Sequence, residues 1–145
     1  MNIGLIGTGY WGKNLLRNLL IHEEVTNIFV LDFDVKNIKK FPNVKYYDNK
    51  KEFFSIKDID IYLIATPTES HFEYISKCLK LDKFVCITKP FTTNFNQVKK
   101  IEDKFNNTHK IFLDHTYLFH SSIKFMRSLI DSRKLGKLIY YDSER

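Results

Sequence analysis

Apolar runs and stretches with helix-spaced apolar residues alternate along the whole chain, the order expected of a parallel sheet whose strands are joined by crossover helices. Asn2–Ile6 predicts a short buried strand. Leu15, Leu16, Leu19 and Leu20 then recur at helical spacing and predict a helix over Tyr10–Ile21. Asn27–Leu31 predicts a second strand, Val35–Lys40 a helical turn, Val44–Tyr47 a third strand and Lys50–Ser55 a short helix. Ile59–Thr66 is almost continuously apolar and stops at Pro67. A strand buried on both faces needs such a run, so this segment is predicted at the centre of the sheet.

The second half repeats the alternation. Glu69–Leu81 reads as an amphipathic helix with Phe72, Ile75, Cys78 and Leu79 on one side, and Phe84–Ile87 as the next strand. Asn94 is placed to accept from a free amide at the start of another helix, and Gln97 three residues on predicts a capping box. Phe95, Val98, Ile101 and Phe105 give that helix a core face, and Ile111–Leu113 supplies a sixth strand. Six strands complete a doubly wound α/β sheet, a Rossmann unit, at residue 116. Residues 117–145 then hold a helix over Ser121–Ser132 and a last strand over Leu138–Tyr141. This stretch reads as a linker helix and the opening of a second α+β domain. With no partner strand in view, Leu138, Ile139 and Tyr141 are expected to leave apolar surface uncovered and to favour a homo-oligomer.

Composition narrows the classes. A chain of 145 residues accommodates one domain with a real core, and 43% hydrophobic with 28% charged residues is ordinary globular composition. The net charge of +6 permits attraction to phosphates, but the lysines are spread along the chain and punctuated by acids. Such spacing gives solvated faces rather than a nucleic-acid stripe, so no nucleic-acid partner is expected. Cys78 and Cys86 lack any metal-ligand or disulfide spacing, so no metal site is expected and a reducing cytoplasm fits. No apolar run approaches a membrane span, and Met1–Ile6 passes straight into a glycine turn without the pattern of a signal peptide.

Four motifs carry candidate chemistry. The first is Gly7-Thr8-Gly9-Tyr10-Trp11-Gly12, directly after a strand and opening a helix. There Gly7 serves the tight turn, Gly9 lets a pyrophosphate approach the backbone, and Gly12 permits close helix–strand packing. Free amides and the positive dipole end of the helix then face the phosphates. The second is Asp32, twenty residues after Gly12 at the end of the second strand, where a carboxylate accepts hydrogen bonds from ribose hydroxyls. A 2′-phosphate there meets like charge with no nearby arginine, although Lys36 offers partial relief, so NAD is favoured over NADP. Asp34 is the alternative ribose ligand. The third is Ala65-Thr66-Pro67 with His71, at the carboxyl end of the central strand, where open α/β sheets bind ligands. His71 reads equally as a ligand-side residue and as a packed one. The fourth is Thr88-Lys89-Pro90, at the same sheet edge, where Lys89 is the candidate for assisting proton transfer at a substrate hydroxyl.

With these motifs in this order the chain resembles the glucose–fructose oxidoreductase/inositol dehydrogenase family, Gfo/Idh/MocA. The family's glycine fingerprint, ribose acid, A-T-P segment with histidine and E-K-P segment match Gly7–Gly12, Asp32, Ala65–Pro67 with His71, and Thr88–Pro90. The resemblance implies NAD as cofactor and a lysine, here Lys89, in contact with both substrate and cofactor. The segments Gly9–Asn14, Asp114–His120 and Leu135–Tyr141 look like the subgroup that oxidises a hydroxyl of a sugar nucleotide for surface-polysaccharide synthesis. A sugar or sugar-nucleotide substrate is therefore implied. Thr88 departs from the family's glutamate. Family members also continue into a mostly antiparallel substrate domain with an Asp-x-x-x-His motif, which His115 and His120 do not reproduce by spacing. The competing expectation is a catalytically silent dinucleotide-binding module.

Overall fold

The computed structural model describes residues 1–34 and 41–144. The predicted turn at Val35–Lys40, and Lys36 with it, lies outside the described residues. Six strands form one parallel sheet: β1 (Asn2–Ile6), β2 (Asn27–Leu31), β3 (Val44–Tyr47), β4 (Ile61–Ile64), β5 (Phe84–Thr88) and β6 (Ile111–Asp114). Their order is β3-β2-β1-β4-β5-β6, so the chain winds outward from β1 in one direction, returns, and winds outward from β4 in the other. This is the doubly wound α/β fold, with its switch point between β1 and β4.

Alternation along each strand sorts side chains between the two faces. Leu5, Ile28, Val30 and Val44 pack with Leu16 of α1 (Tyr10–Leu19) on one face. Ile6, Leu31, Tyr62, Ile64 and Ile87 pack on the other with Phe53 of α2 (Lys50–Phe54), Ile75 and Leu79 of α3 (His71–Lys80) and Ile101 of α4 (Phe95–Lys104). β4 lies between β1 and β5, as its apolar run predicts. It is shorter than the run, and just before it Asp60 N donates to Asn2 O at 2.9 Å while the Asp60 carboxylate accepts from Asn2 N at 2.8 Å.

Helix ends depart from the sequence reading for local reasons. The last turn of α1 tightens into bonds from Ile21 N to Asn18 O and from His22 N to Leu19 O, so the helix stops at Leu19 rather than Ile21. The stretch expected to begin α3 at Glu69 is a separate 3-10 turn, Thr68–Ser70, closed by Ser70 N on Pro67 O. Asn94 caps α4 by accepting from Gln97 N at 3.2 Å. The Gln97 side chain reaches back to Thr93 N at 3.4 Å instead of to Asn94, so the box closes one residue early.

The chain divides into two compact units, Met1–Asp114 and His115–Arg145. The second holds a 3-10 turn over Thr116–Phe119 and α5 (Ser121–Asp131). The strand expected over Leu138–Tyr141 is not formed among the described residues. An isolated extended segment has no ladder to satisfy its backbone groups, and residues 137–144 make none. No helix among the described residues is long and apolar enough to cross a membrane, and none of their His, Cys, Asp and Glu side chains form a group able to hold a metal.

Candidate dinucleotide site

Parallel register brings three chain exits to one level. Ile6 is paired with Leu31 on one side and with Ile64 on the other, so Gly7, Asp32 and Ala65 all follow at the same sheet edge. The ladder runs one step further: Gly7 N donates to Leu31 O and Ala65 N to Ile6 O, each at 2.9 Å. Sheet topology thus gathers residues separated by dozens of positions in the sequence.

At Gly7 the chain turns with φ of +88°, a conformation that disfavours any side chain, and an added Cβ would also press on Ala65 O at 2.9 Å. A Cβ on Gly12 would overlap the Gly7 carbonyl oxygen, so α1 sits this close to the turn only because Gly12 has no side chain. Gly9 faces open space, with nothing within 4 Å of where a Cβ would stand. No side chain caps α1 at Gly9. Its first amides therefore keep their capacity to bind an anion, reinforced by the helix dipole.

Asp32 is held rigidly beside this turn. Its Oδ2 accepts from Thr8 N at 2.7 Å and from Thr8 Oγ1 at 2.6 Å, and its Oδ1 from Asp34 N at 2.9 Å. Burial raises the carboxyl's pKa, but hydrogen bonds from the Thr8 hydroxyl and the Asp34, Thr8 and Phe33 amides outweigh it and hold Asp32 below the usual carboxylate range. Oδ2 thus takes two donors already, and Oδ1, which accepts from Asp34 N, is the oxygen turned to further donors. Thr8 is buried and turned onto Asp32, so its side chain positions the acid rather than facing a ligand.

Gly7, Gly9, Asp32, Ala65, Thr66 and Pro67 line a single cavity of about 370 Å³. Asp34 does not line it. Sequence reading missed Phe33, Lys50, Glu69, Ser70 and Tyr74, which complete its walls. Phe33 had a signal in its adjacency to Asp32. Lys50 comes from α2, Glu69 and Ser70 from the 3-10 turn before α3, and Tyr74 from α3, and they reach the cavity only through tertiary packing.

The remaining sequence candidates fall outside that cavity. Tyr10 and Trp11 are exposed on the first turn of α1 and pack edge to face with each other. Thr88 ends β5, its hydroxyl 3.4 Å from Ile64 O, and leads into a cis peptide bond between Lys89 and Pro90. Lys89 is exposed, and no hydrogen bond or ion pair holds its ammonium among the described residues. His71 is buried between two loops. It is 1% exposed, with Nε2 2.9 Å from Thr66 O and Nδ1 2.9 Å from Pro90 O. Both neighbours are carbonyl acceptors, so the neutral ring, with one N–H, donates to one of them while it packs between the Ala65–Pro67 and Thr88–Pro90 segments.

Comparison with known proteins agrees with this geometry. Residues 1–115 match the sequence profile described as an oxidoreductase family with an NAD-binding Rossmann fold, GFO_IDH_MocA. An uncharacterized oxidoreductase of Escherichia coli, YdgJ, is 25% identical over 99% of this chain, which spans 42% of that relative. The inositol 2-dehydrogenase/D-chiro-inositol 3-dehydrogenase of Lacticaseibacillus casei is 29% identical over 72% of the chain and 32% of its own length. Among solved structures, myo-inositol 2-dehydrogenase from Lactobacillus plantarum superposes with a TM-score of 0.85 at 23% identity, over 97% of this chain and 43% of that one. With the profile covering most of its length, the chain belongs to the Gfo/Idh/MocA oxidoreductase family and contributes that family's NAD-binding Rossmann fold.

Proposed function

We propose that this chain is the cofactor-binding part of an NAD-dependent dehydrogenase that oxidises a ring hydroxyl of a sugar, a sugar nucleotide or a related polyol. The observation that carries the proposal is the convergence of an uncapped α1 N-terminus, the open space at Gly9 and the Asp32 carboxylate on one cavity. That donor set fits NAD: amides of α1 for the pyrophosphate, and Asp32 for the ribose hydroxyls. When bound, the nicotinamide supplies the hydride acceptor. Thr8 keeps Asp32 ionised and oriented for the sugar hydroxyls. Thr66 and Pro67 form the wall on the β4 side. Lys89, unpaired and on the segment that His71 ties to Thr66, gives or takes the proton at the substrate hydroxyl.

The like charge of Asp32 toward a 2′-phosphate supports NAD over NADP. The similarity to an inositol dehydrogenase supports a cyclic polyol or sugar as the substrate class. The free thiols Cys78 and Cys86 support a reducing, cytoplasmic setting. Thr88, which replaces the family's glutamate next to Lys89, favours the second reading, a dinucleotide-binding module without turnover.

Titration calorimetry with NAD tests the binding claim, and saturable binding is expected. No heat at millimolar NAD would remove the proposal. Turnover separates the two readings. With the chain in its natural polypeptide and a panel of polyols, sugars and UDP-sugars, NADH formation is expected, and Lys89→Met should lower kcat roughly 100-fold or more. Saturable NAD binding without NADH on any substrate would select the silent module.

A further inference from the structure

The cavity carries a charge arrangement that Asp32 alone does not describe. Asp32 and Glu69 line it as acids, and Lys50, the first residue of α2, is its one cationic side chain among the described residues. Lys50 is not free in the sense a phosphate requires. Its Nζ donates to Glu73 Oε1 at 2.7 Å and stands 4.9 Å from the centroid of the Tyr74 ring and 5.6 Å from that of Phe33. Phe33 directly follows Asp32, so the ammonium is held over the wall beside the ribose acid. Glu73 does not line this cavity but the neighbouring groove, which Lys50 also lines. Lys50 therefore stands at the partition between the two, and Glu73 draws its charge toward the groove.

Resting on the dinucleotide reading above, we infer that Glu73 is a positioning residue for cofactor selection: by engaging Lys50 it withholds the one cation that lines the cavity among the described residues from a ribose 2′-phosphate and so maintains discrimination against NADP. A ribose 2′-hydroxyl needs only an acceptor and finds it in Asp32. A 2′-phosphate brings added negative charge toward two carboxylates and needs a compensating cation within hydrogen-bond reach. Lys50 has the chemistry and the place, on a flexible stem anchored at the cavity wall. Its engagement with Glu73 sets the cost of using it. Selectivity is thus divided between a residue that repels the phosphate and a residue that occupies the cation able to offset that repulsion.

The test compares NAD and NADP by titration calorimetry on the full chain, its Glu73→Gln variant and the Lys50→Met/Glu73→Gln double variant. Glutamine keeps the size of Glu73 and removes its charge. The ratio of NADP to NAD affinity is expected to rise about fivefold in E73Q, the upper end for an ion pair exposed to solvent. It should return to the wild-type ratio or below in the double variant. A purely structural role for Glu73 would weaken both cofactors together and leave the ratio in place. A ratio within about twofold of wild type in E73Q, or a rise that survives loss of Lys50, overturns the inference while leaving NAD binding by the wild type intact. Absence of NAD binding by the wild type overturns the dinucleotide reading and this inference with it.

Discussion

Replacing Thr8 with valine removes one hydroxyl from the centre of the site and leaves the backbone free to stay in place. Thr8 is 3% exposed, and its Oγ1 donates to Asp32 Oδ2 at 2.6 Å. A hydrogen bond to a charged group contributes about 1.5–3 kcal/mol. The lower end applies here, because Asp32 is partly exposed and keeps amide donors from Thr8 and Asp34. The expected loss is therefore about 1.5 kcal/mol near neutral pH, a fall of roughly 5 °C in Tm. The effect has a pH signature. The folded state holds the Asp32 pKa below its ordinary value of 3.8, so the stability it contributes is present above that value and lost as pH falls through the lower folded pKa. The gap between wild type and Thr8→Val should be constant from about pH 5 to 8 and shrink below about pH 4. Urea unfolding of both proteins across that range measures it. A gap that persists undiminished at acid pH would show that the hydroxyl stabilises the fold by some route other than the Asp32 carboxylate.

Gly12→Ala should cost about 3 kcal/mol or more in thermal or urea unfolding, because the new Cβ overlaps the backbone oxygen of Gly7 and neither chain segment has room to yield; stability within about 1 kcal/mol of wild type would refute the close approach. His71→Ala removes the one imidazole N–H shared between the carbonyls of Thr66 and Pro90 and opens a void, so a loss of about 2–4 kcal/mol is expected on urea unfolding, with amide exchange accelerated around both segments. Burial pushes the Cys86 thiol up to about 11 and the Cys78 thiol higher still, so Ellman's reagent at pH 8 should react with the native chain far more slowly than with the urea-unfolded chain; equal rates would contradict the packing. Leu135, Leu138, Ile139 and Tyr140 are all exposed in the second unit, so the 145-residue chain should self-associate with rising concentration in sedimentation velocity, and a single monomer boundary throughout would count against it.

The glycine fingerprint was legible because its physics is local. A positive φ at Gly7, a missing side chain at Gly12 and a helix start at Tyr10 are requirements on neighbouring residues, and the residue types announce them. The buried strand at Ile61–Ile64 was legible for the same reason, since only a segment covered on both faces can be apolar at every position. His71 was not. Whether an imidazole near a sheet edge faces a ligand or bridges two loops depends on where residues 66 and 90 stand, and the sequence carries no distance between them. The absent strand at Leu138–Tyr141 marks the opposite limit: β-type residues favour extended backbone, but a strand exists only where another supplies its hydrogen bonds.

The sequence by itself determined the alternation of strands and helices, the parallel doubly wound sheet, the turn at Gly7 and the place of Asp32 at the end of β2. Periodicity and backbone preference act over a few residues and survive without knowledge of the rest of the chain. Tertiary structure alone decided that Thr8 would spend its hydroxyl on Asp32, that His71 would join two loops, and that Lys50 and Glu73 would meet beside the cavity. Those contacts join residues 19 to 24 positions apart or, for His71 and Thr66, the two sides of a turn. They are fixed by strand register and helix docking, which only the packed core as a whole can set.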